Sequence, residues 1–289
     1  MRIAIASGKG GTGKTFISTN LFRLMDSLGM DVVLADCDAE VPNDSIFLKM
    51  NRTEEHLVKS FIPSINEDKC VYCSACADLC HFHAITCIPS VSYIKLMDDN
   101  CHGCHACEYV CKEGAIETSW KNRGKVSVYE RNGHPKLVEG KVNVKQNSPV
   151  PVIQETIQRV INTGATHILL DAPPGCSCPF VHSVLLSDFV LLVTEPTPFG
   201  LSDLKQTIEV LNSLNVKFGV IINRADLGFS DMSKYLEAEN IEILAQIPYD
   251  EEIAKLYAEG NLPIDYLTHI KEVFETILTQ ILNYENSYC

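Results

Sequence analysis

Eight residues near the N-terminus, Gly8-Lys9-Gly10-Gly11-Thr12-Gly13-Lys14-Thr15, combine four glycines with two lysines and end on a threonine. Glycine has no Cβ, so successive backbone N–H groups can close on the oxygens of an anion. If a helix starts where this loop ends, its dipole favours the same anion. Lys14 adds a full positive charge, and Thr15 adds a hydroxyl able to ligate Mg2+. Together these groups suit a polyphosphate. A turn that merely joined strand to helix would have no use for Lys-Thr at its end, nor for the further lysine Lys9.

A second set of reactive residues is made of thiols. Cys70-x2-Cys73-x2-Cys76-x3-Cys80 recurs as Cys101-x2-Cys104-x2-Cys107-x3-Cys111, and Ala84-Ile85 recurs as Ala115-Ile116, at a constant offset of 31 residues. The repeat implies an internal duplication and a pseudo-twofold unit. Thirteen cysteines without a secretion signal point to free thiols for metal binding or catalysis, not to a disulfide scaffold. Structural zinc would use two separated pairs. Each run instead resembles that of bacterial ferredoxins, whose fourth cysteine ligates the other cluster. The resemblance implies one [4Fe-4S] cluster on Cys70, Cys73, Cys76 and Cys111, and another on Cys80, Cys101, Cys104 and Cys107. His81 and Lys112 stand where the ferredoxin run carries proline. His81, His83, His102 and His105 crowd the same loops, either as solvated residues or as hydrogen-bond donors to a cluster.

Both sets need elements to hold them. Residues 3–7 alternate as a strand, residues 15–28 form an apolar helix stopped by Gly29, and Val32–Asp36 reads as a second strand. From residue 66 to 118 the texture changes to short cysteine-spaced segments with little apolar core, as in a unit that needs metal to hold it. Residues 120–149 read as a hairpin or loop back to the main domain, with alternation in Lys125-Val126-Ser127-Val128-Tyr129. Beyond Pro151, helices near 151–162 and 202–214 alternate with apolar strands at 168–171, Phe189–Thr194 and Phe218–Asn223. A strand near 241–247 and a helix over 267–282 follow. Continuous apolar strands between helices mean a parallel sheet. The expected fold class is α/β: a parallel-sheet P-loop NTPase domain over residues 1–63 and 119–289, with a small α+β two-cluster ferredoxin domain inserted at 64–118.

Lys9 makes the glycine loop the Lys-Gly-Gly-x-Gly-Lys-Thr variant. With it, nearly all of the chain outside the insertion resembles the MinD, ParA, Mrp and nitrogenase iron-protein family of dimeric ATPases. The resemblance implies a MinD-like fold and ATP or ADP with Mg2+ as ligands, the nucleotide being held by Gly8, Lys9, Gly10, Gly11, Thr12, Gly13, Lys14 and Thr15. It makes Lys9 a signature lysine that reaches the partner's phosphates across a nucleotide-dependent homodimer, and Lys9, Lys14 and Asp38 the catalytic groups. Ala35-Asp36-Cys37-Asp38 matches the first switch, in which Asp38 orients the attacking water. Leu169-Leu170-Asp171-Ala172-Pro173-Pro174-Gly175 matches the Walker B strand and second switch, so Thr15, Asp38 and Asp171 are the implied Mg2+ residues. Ile221-Ile222-Asn223-Arg224 matches the strand end that reads adenine through Asn223, and Ile247-Pro248-Tyr249-Asp250 the adjacent base loop at Pro248. The run from Thr194 and Glu195 to Leu201 resembles another strand-end motif, either a ligand loop or a proline-stiffened structural one. Cys176 and Cys178 follow the second switch, where the nitrogenase iron protein carries a ligand of a cluster shared across its dimer. They read as such a bridging pair or as small hydrophobes.

Acidic residues outnumber basic ones 37 to 24, a formal charge of -13 that repels nucleic acid and anionic membranes. No apolar run approaches the ~18 residues of a membrane span, so a cytoplasmic protein is expected. The expected function is a nucleotide-switched ATPase dimer that gates electron transfer from two [4Fe-4S] clusters to a protein partner. The alternative is an Mrp-like carrier that hands a cluster to an accepting protein. A positioning role of the MinD or ParA kind stands third, because the acidic chain disfavours DNA and lipid.

Overall fold

The computed structural model describes the chain except residues 145, 147 and 289, with residues 286–288 described by backbone alone. In chain order the elements are β1 (Arg2–Ala6), α1 (Lys14–Ser27), β2 (Val32–Asp36), α2 (Asp44–Leu48), β3 (Asn51–Ile65), α3 (Ala75–Asp78), β4 (Ile85–Ile88), β5 (Tyr93–Leu96), α4 (Ala106–Val110), β6 (Ile116–Arg131) and β7 (His134–Val142). There follow α5 (Val150–Asn162), β8 (His167–Asp171), α6 (Cys178–Val184), β9 (Phe189–Thr194), α7 (Pro198–Ser213), β10 (Phe218–Asn223), α8 (Ser230–Ala238), β11 (Ile243–Ile247), α9 (Glu251–Ala258) and α10 (Thr268–Tyr288). The contacts divide the chain into two compact units, one of Met1–Glu55, Val126–Lys141 and Ile153–Cys289, the other of His56–Lys125 and Val142–Val152.

The first unit is built on a mostly parallel sheet, as the apolar strands require. Its order is β11-β10-β9-β1-β8-β2-β7, continued by β6 and β3. β1 lies between β8 and β9 and runs parallel to both, with Ile3 beside Leu169 and Phe189. Strands covered on both faces are apolar throughout, which is why β2 and β9 are buried along their whole length. Helix α1 buries Phe16, Ile17, Leu21, Phe22, Leu24 and Met25 in the same core as Ile270, Phe274 and Ile277 of α10. The Phe16 and Phe274 rings meet edge to face at 5.7 Å. Each such buried ring contributes about 2–3 kcal/mol in transfer terms. β6 and β7 are joined through Asn132 and Gly133, both at positive φ (54° and 75°), the backbone that a two-residue hairpin turn requires.

The second unit carries the duplicated thiol segment, and the duplication is visible in its backbone. Ser74 before α3 and His105 before α4 both adopt left-handed conformations, at φ 64° and 63°. The Sγ of Cys80 accepts from the N–H of Ala84 at 3.3 Å, and the Sγ of Cys111 accepts from that of Ala115 at the same distance. Phe61, Cys76, Ile85, Cys107 and Ile116 form its small apolar core, and β4 pairs antiparallel with β5. Buried Arg123 ties the unit together, donating from Nε to Ser60 Oγ at 2.6 Å and from Nη2 to the carbonyl of Cys101 at 2.9 Å. Among the described residues no helix is long and apolar enough to cross a membrane.

Candidate functional site

In the first unit the glycine loop leaves the carboxyl end of β1, between strands reached by crossovers in opposite directions. Open parallel sheets place ligand loops at such a point. Gly10, Gly11, Gly13, Lys14 and Thr15 line a cavity of about 380 Å³ with Asp38, Asn223 and Pro248. Phe16, Ile253 and Tyr257 supply apolar wall. Gly8, Lys9 and Thr12 turn the other way, against Thr194, Gly200 and Asp203. Gly13 sits at φ 101°, and a Cβ there would lie 2.5 Å from Asn223 Nδ2. That amide donates to the carbonyl of Thr12 at 2.8 Å, so Gly13 lets the late strand β10 hold the loop directly. Gly13→Ala is therefore expected to weaken nucleotide binding at least about tenfold, ~1.4 kcal/mol, as titration calorimetry with ATP would measure. Unchanged affinity would contradict this packing.

Two carboxylates and one lysine form the charged floor. Thr15 Oγ1 donates to Asp171 Oδ2 at 2.9 Å, while Asp171 Oδ1 is buried with no hydrogen-bond partner among the described residues. Burial pushes Asp171 up to about 6, against the opposing pull of Lys14 and of the Thr15 hydrogen bond. Asp38 is raised for the same reason, again offset by Lys14. Burial lowers the Lys14 ammonium, and Asp171 and Asp38 work to raise it. Lys14 thus opposes the neutralisation that burial imposes on both carboxylates, and they oppose its own.

Several contributors were not singled out in the sequence. Asp36 accepts from the backbone N–H groups of Asp38 (3.1 Å), Asn43 (2.8 Å) and Asp44 (3.1 Å), and so folds the loop that presents Asp38. Its position beside Asp38 in the strand-end motif was the available signal. Tyr257 stacks on Phe47 at 4.3 Å between ring centroids and lines the cavity, its hydroxyl pKa raised by burial. Nothing local to α9 marks it. Tyr249 donates its backbone N–H to Asp226 Oδ1 at 2.6 Å, which fixes the loop carrying Pro248.

The thiols are placed as follows. Cys70, Cys73, Cys76, Cys87 and Cys111 line one cavity of the second unit, about 450 Å³, and Cys80, Cys101, Cys104 and Cys107 line another of about 20 Å³. His102 and His105 stack on Phe82 and Phe61 at 3.8 and 3.7 Å. Burial raises the Cys76 and Cys107 thiols to about 11. Among the described residues no group of three or more His, Cys, Asp or Glu side chains is arranged to hold a metal ion. In the first unit Cys176 Sγ lies 3.2 Å from Thr207 Oγ1, and Cys178 is exposed at the start of α6.

The fold and this cavity define a P-loop nucleotide-binding protein. The family model for the CobQ/CobB/MinD/ParA nucleotide-binding domain matches residues 3–264, and the chain belongs to that family. An uncharacterized protein of Methanocaldococcus jannaschii is 30% identical over 292 residues, covering 98% of each chain. The septum site-determining protein MinD of Thermotoga maritima is 25% identical over 290 residues, 96% of this chain and 87% of that one. The solved structure of MinD from Pyrococcus horikoshii complexed with Mg-ADP has a TM-score of 0.58 at 20% identity, over 97% of this chain and 95% of that one. The fold is MinD-like, and the chain is an ATPase.

These findings correct part of the sequence reading. The arrangement of the thiols offers no metal-holding group among the described residues, and the relatives of known role reported above, from Thermotoga maritima and Pyrococcus horikoshii, are MinD proteins. The two [4Fe-4S] clusters, on Cys70, Cys73, Cys76 and Cys111 and on Cys80, Cys101, Cys104 and Cys107, are withdrawn as cofactors. Electron transfer, the redox or cluster-accepting partner, and the carrier alternative through Cys176 and Cys178 are withdrawn with them. The ferredoxin character expected of residues 64–118 is not retained either.

Proposed function

We propose that the protein is a nucleotide-switched ATPase of the MinD/ParA kind, which forms a homodimer around ATP and in that state binds a protein partner. The observation that carries this reading is the cavity that collects Lys14 and Thr15, Asp38, and Asn223 from three separate parts of the first unit. In it Lys14 and the loop N–H groups bind the phosphates, Asn223 and Pro248 border the base, and Asp38 orients the water that attacks the terminal phosphate. Lys9 is the residue offered to the second copy's phosphates. Residues 64–118 are an insertion in this ATPase domain of 1–63 and 119–289.

Thr15, Asp38 and Asp171 would hold Mg2+. The fit is supported by Asp171, whose buried Oδ1 has no hydrogen-bond partner among the described residues and whose Oδ2 accepts from the Thr15 hydroxyl, since Mg2+ is bound through one or two carboxylates together with phosphate oxygens and water. When bound, the ion would neutralise charge on the phosphates. The net charge of -13 favours a protein partner over nucleic acid or anionic lipid.

Sedimentation of the Asp38→Ala variant, in which hydrolysis is arrested, tests the switch. A dimer is expected with MgATP, a monomer with MgADP, and a monomer under both conditions once Lys9→Ala is added. A sedimentation coefficient independent of the nucleotide would sink the reading.

A further inference from the structure

A single buried carboxylate links the phosphate loop to the strand end beside the nucleotide cavity. Glu195, just past the end of β9, is 7% exposed. Its Oε1 accepts from Arg224 Nη1 at 2.8 Å, and its Oε2 pairs with Lys9 Nζ at 3.5 Å. Lys9 belongs to the phosphate loop, and Arg224 lines the cavity next to Asn223. The contacts close into a ring. Arg224 N donates to Asn223 Oδ1 at 3.1 Å, and Asn223 Nδ2 donates to the carbonyl of Thr12, three residues after Lys9 in the same loop. Starting from Lys9, the path runs through Glu195, Arg224 and Asn223 and returns to Thr12.

The backbone is shaped to keep that carboxylate in place. Thr197 Oγ1 caps α7 by accepting from Gly200 N at 3.0 Å, and Thr197 N donates to the Glu195 carbonyl at 2.8 Å. A Cβ on Gly200 would overlap the same carbonyl, so the helix start presses directly on the Glu195 backbone. On the other side Arg224 adopts φ 51°, a left-handed conformation that costs a non-glycine residue energy and persists only when surrounding contacts hold it. Its guanidinium bond to Glu195 is such a contact. Both cations share this one side chain, so replacing its carboxylate loosens both contacts at once.

We infer that Glu195 is a positioning residue of the ATPase site, acting through Arg224 on Asn223 and through Lys9 on the phosphate loop. This rests on the reading of the cavity as the nucleotide site, yet assigns Glu195 a role of its own. Glu195 is not among the residues that line the cavity, so its loss is felt as misplacement of the groups that are.

The test is steady-state ATP hydrolysis by Glu195→Gln, an isostere without the charge. KM for MgATP is expected to rise about tenfold, ~1.4 kcal/mol, with kcat changed less than about threefold. In the Arg224→Ala background the same substitution is expected to add little, since residues acting in one network are non-additive. Glu195→Asp is expected to recover part of the loss. An unchanged KM, or effects that add fully with Arg224→Ala, would overturn the inference. Should Glu195→Gln fail to fold, Arg224→Gln cuts the same link from its exposed side; a raised KM supports the role and an unchanged one refutes it. Hydrolysis measurable in the wild type but absent in Lys14→Ala establishes the cavity independently, so failure of the Glu195 role is distinguishable from failure of the site.

Discussion

Lys14→Ala lowers kcat/KM for ATP hydrolysis by on the order of 10²–10³-fold, the loss seen when one preorganised charge donor is removed from a developing anion. Lys14 is 7% exposed at the first turn of α1, where the loop N–H groups and the helix dipole already favour an anion. Its charge is worth more there than on the surface, because little water competes for the phosphate oxygens. A second consequence reinforces the first. Lys14 opposes the upward shift of both Asp171 and Asp38, so its removal favours protonation of the carboxyls assigned to Mg2+ and to the attacking water. Release of phosphate with time, compared with ATP binding by calorimetry, separates the two effects. Activity within a few-fold of wild type would mean that hydrolysis takes place elsewhere.

The residues of this site were legible in the sequence to the extent that they lie in one local pattern. The loop from Gly8 to Thr15 declares itself because strand, glycines, Lys-Thr and helix follow one another within a few residues. Asp171 is marked by the buried strand that ends on it, and Asn223 by the end of β10. The parallel sheet was legible for the same reason, since strands covered on both faces are apolar throughout. Glu195, Arg224 and Tyr257 were not assigned roles, because their importance lies in contacts between segments far apart in sequence. Glu195 meets Lys9 from 186 positions away, and no periodicity encodes that distance. The thiol runs show the converse. Spacing fixed their duplication, which the matching Cys80 and Cys111 turns display, but spacing alone did not establish what the thiols hold.

Asp171→Asn is expected to yield a chain that is at once inactive and more stable above neutral pH. In the absence of nucleotide Asp171 is raised from its ordinary 3.8 to about 6, mainly by burial. A carboxyl whose folded value lies above its unfolded one favours folding while protonated, so its contribution is full below about 4 and lost as pH rises through about 6. The difference of roughly two units corresponds to about 3 kcal/mol at full deprotonation. Asp36 and Asp44, buried beside it and also raised, drive the wild type in the same direction. The amide introduced at 171 cannot ionise, and its NH2 can donate to the buried Asp44 carboxyl that lies against Asp171. Its oxygen can still accept from Thr15. Urea unfolding without nucleotide should therefore show the variant ahead by about 2–3 kcal/mol at pH 8, the gap closing towards pH 4. ATP hydrolysis should fall by on the order of 10²-fold or more, since the group assigned to Mg2+ has lost its charge. A variant no more stable than wild type at pH 8, or a gap independent of pH, would refute the argument that this carboxylate is kept at a cost to folding because the reaction needs it.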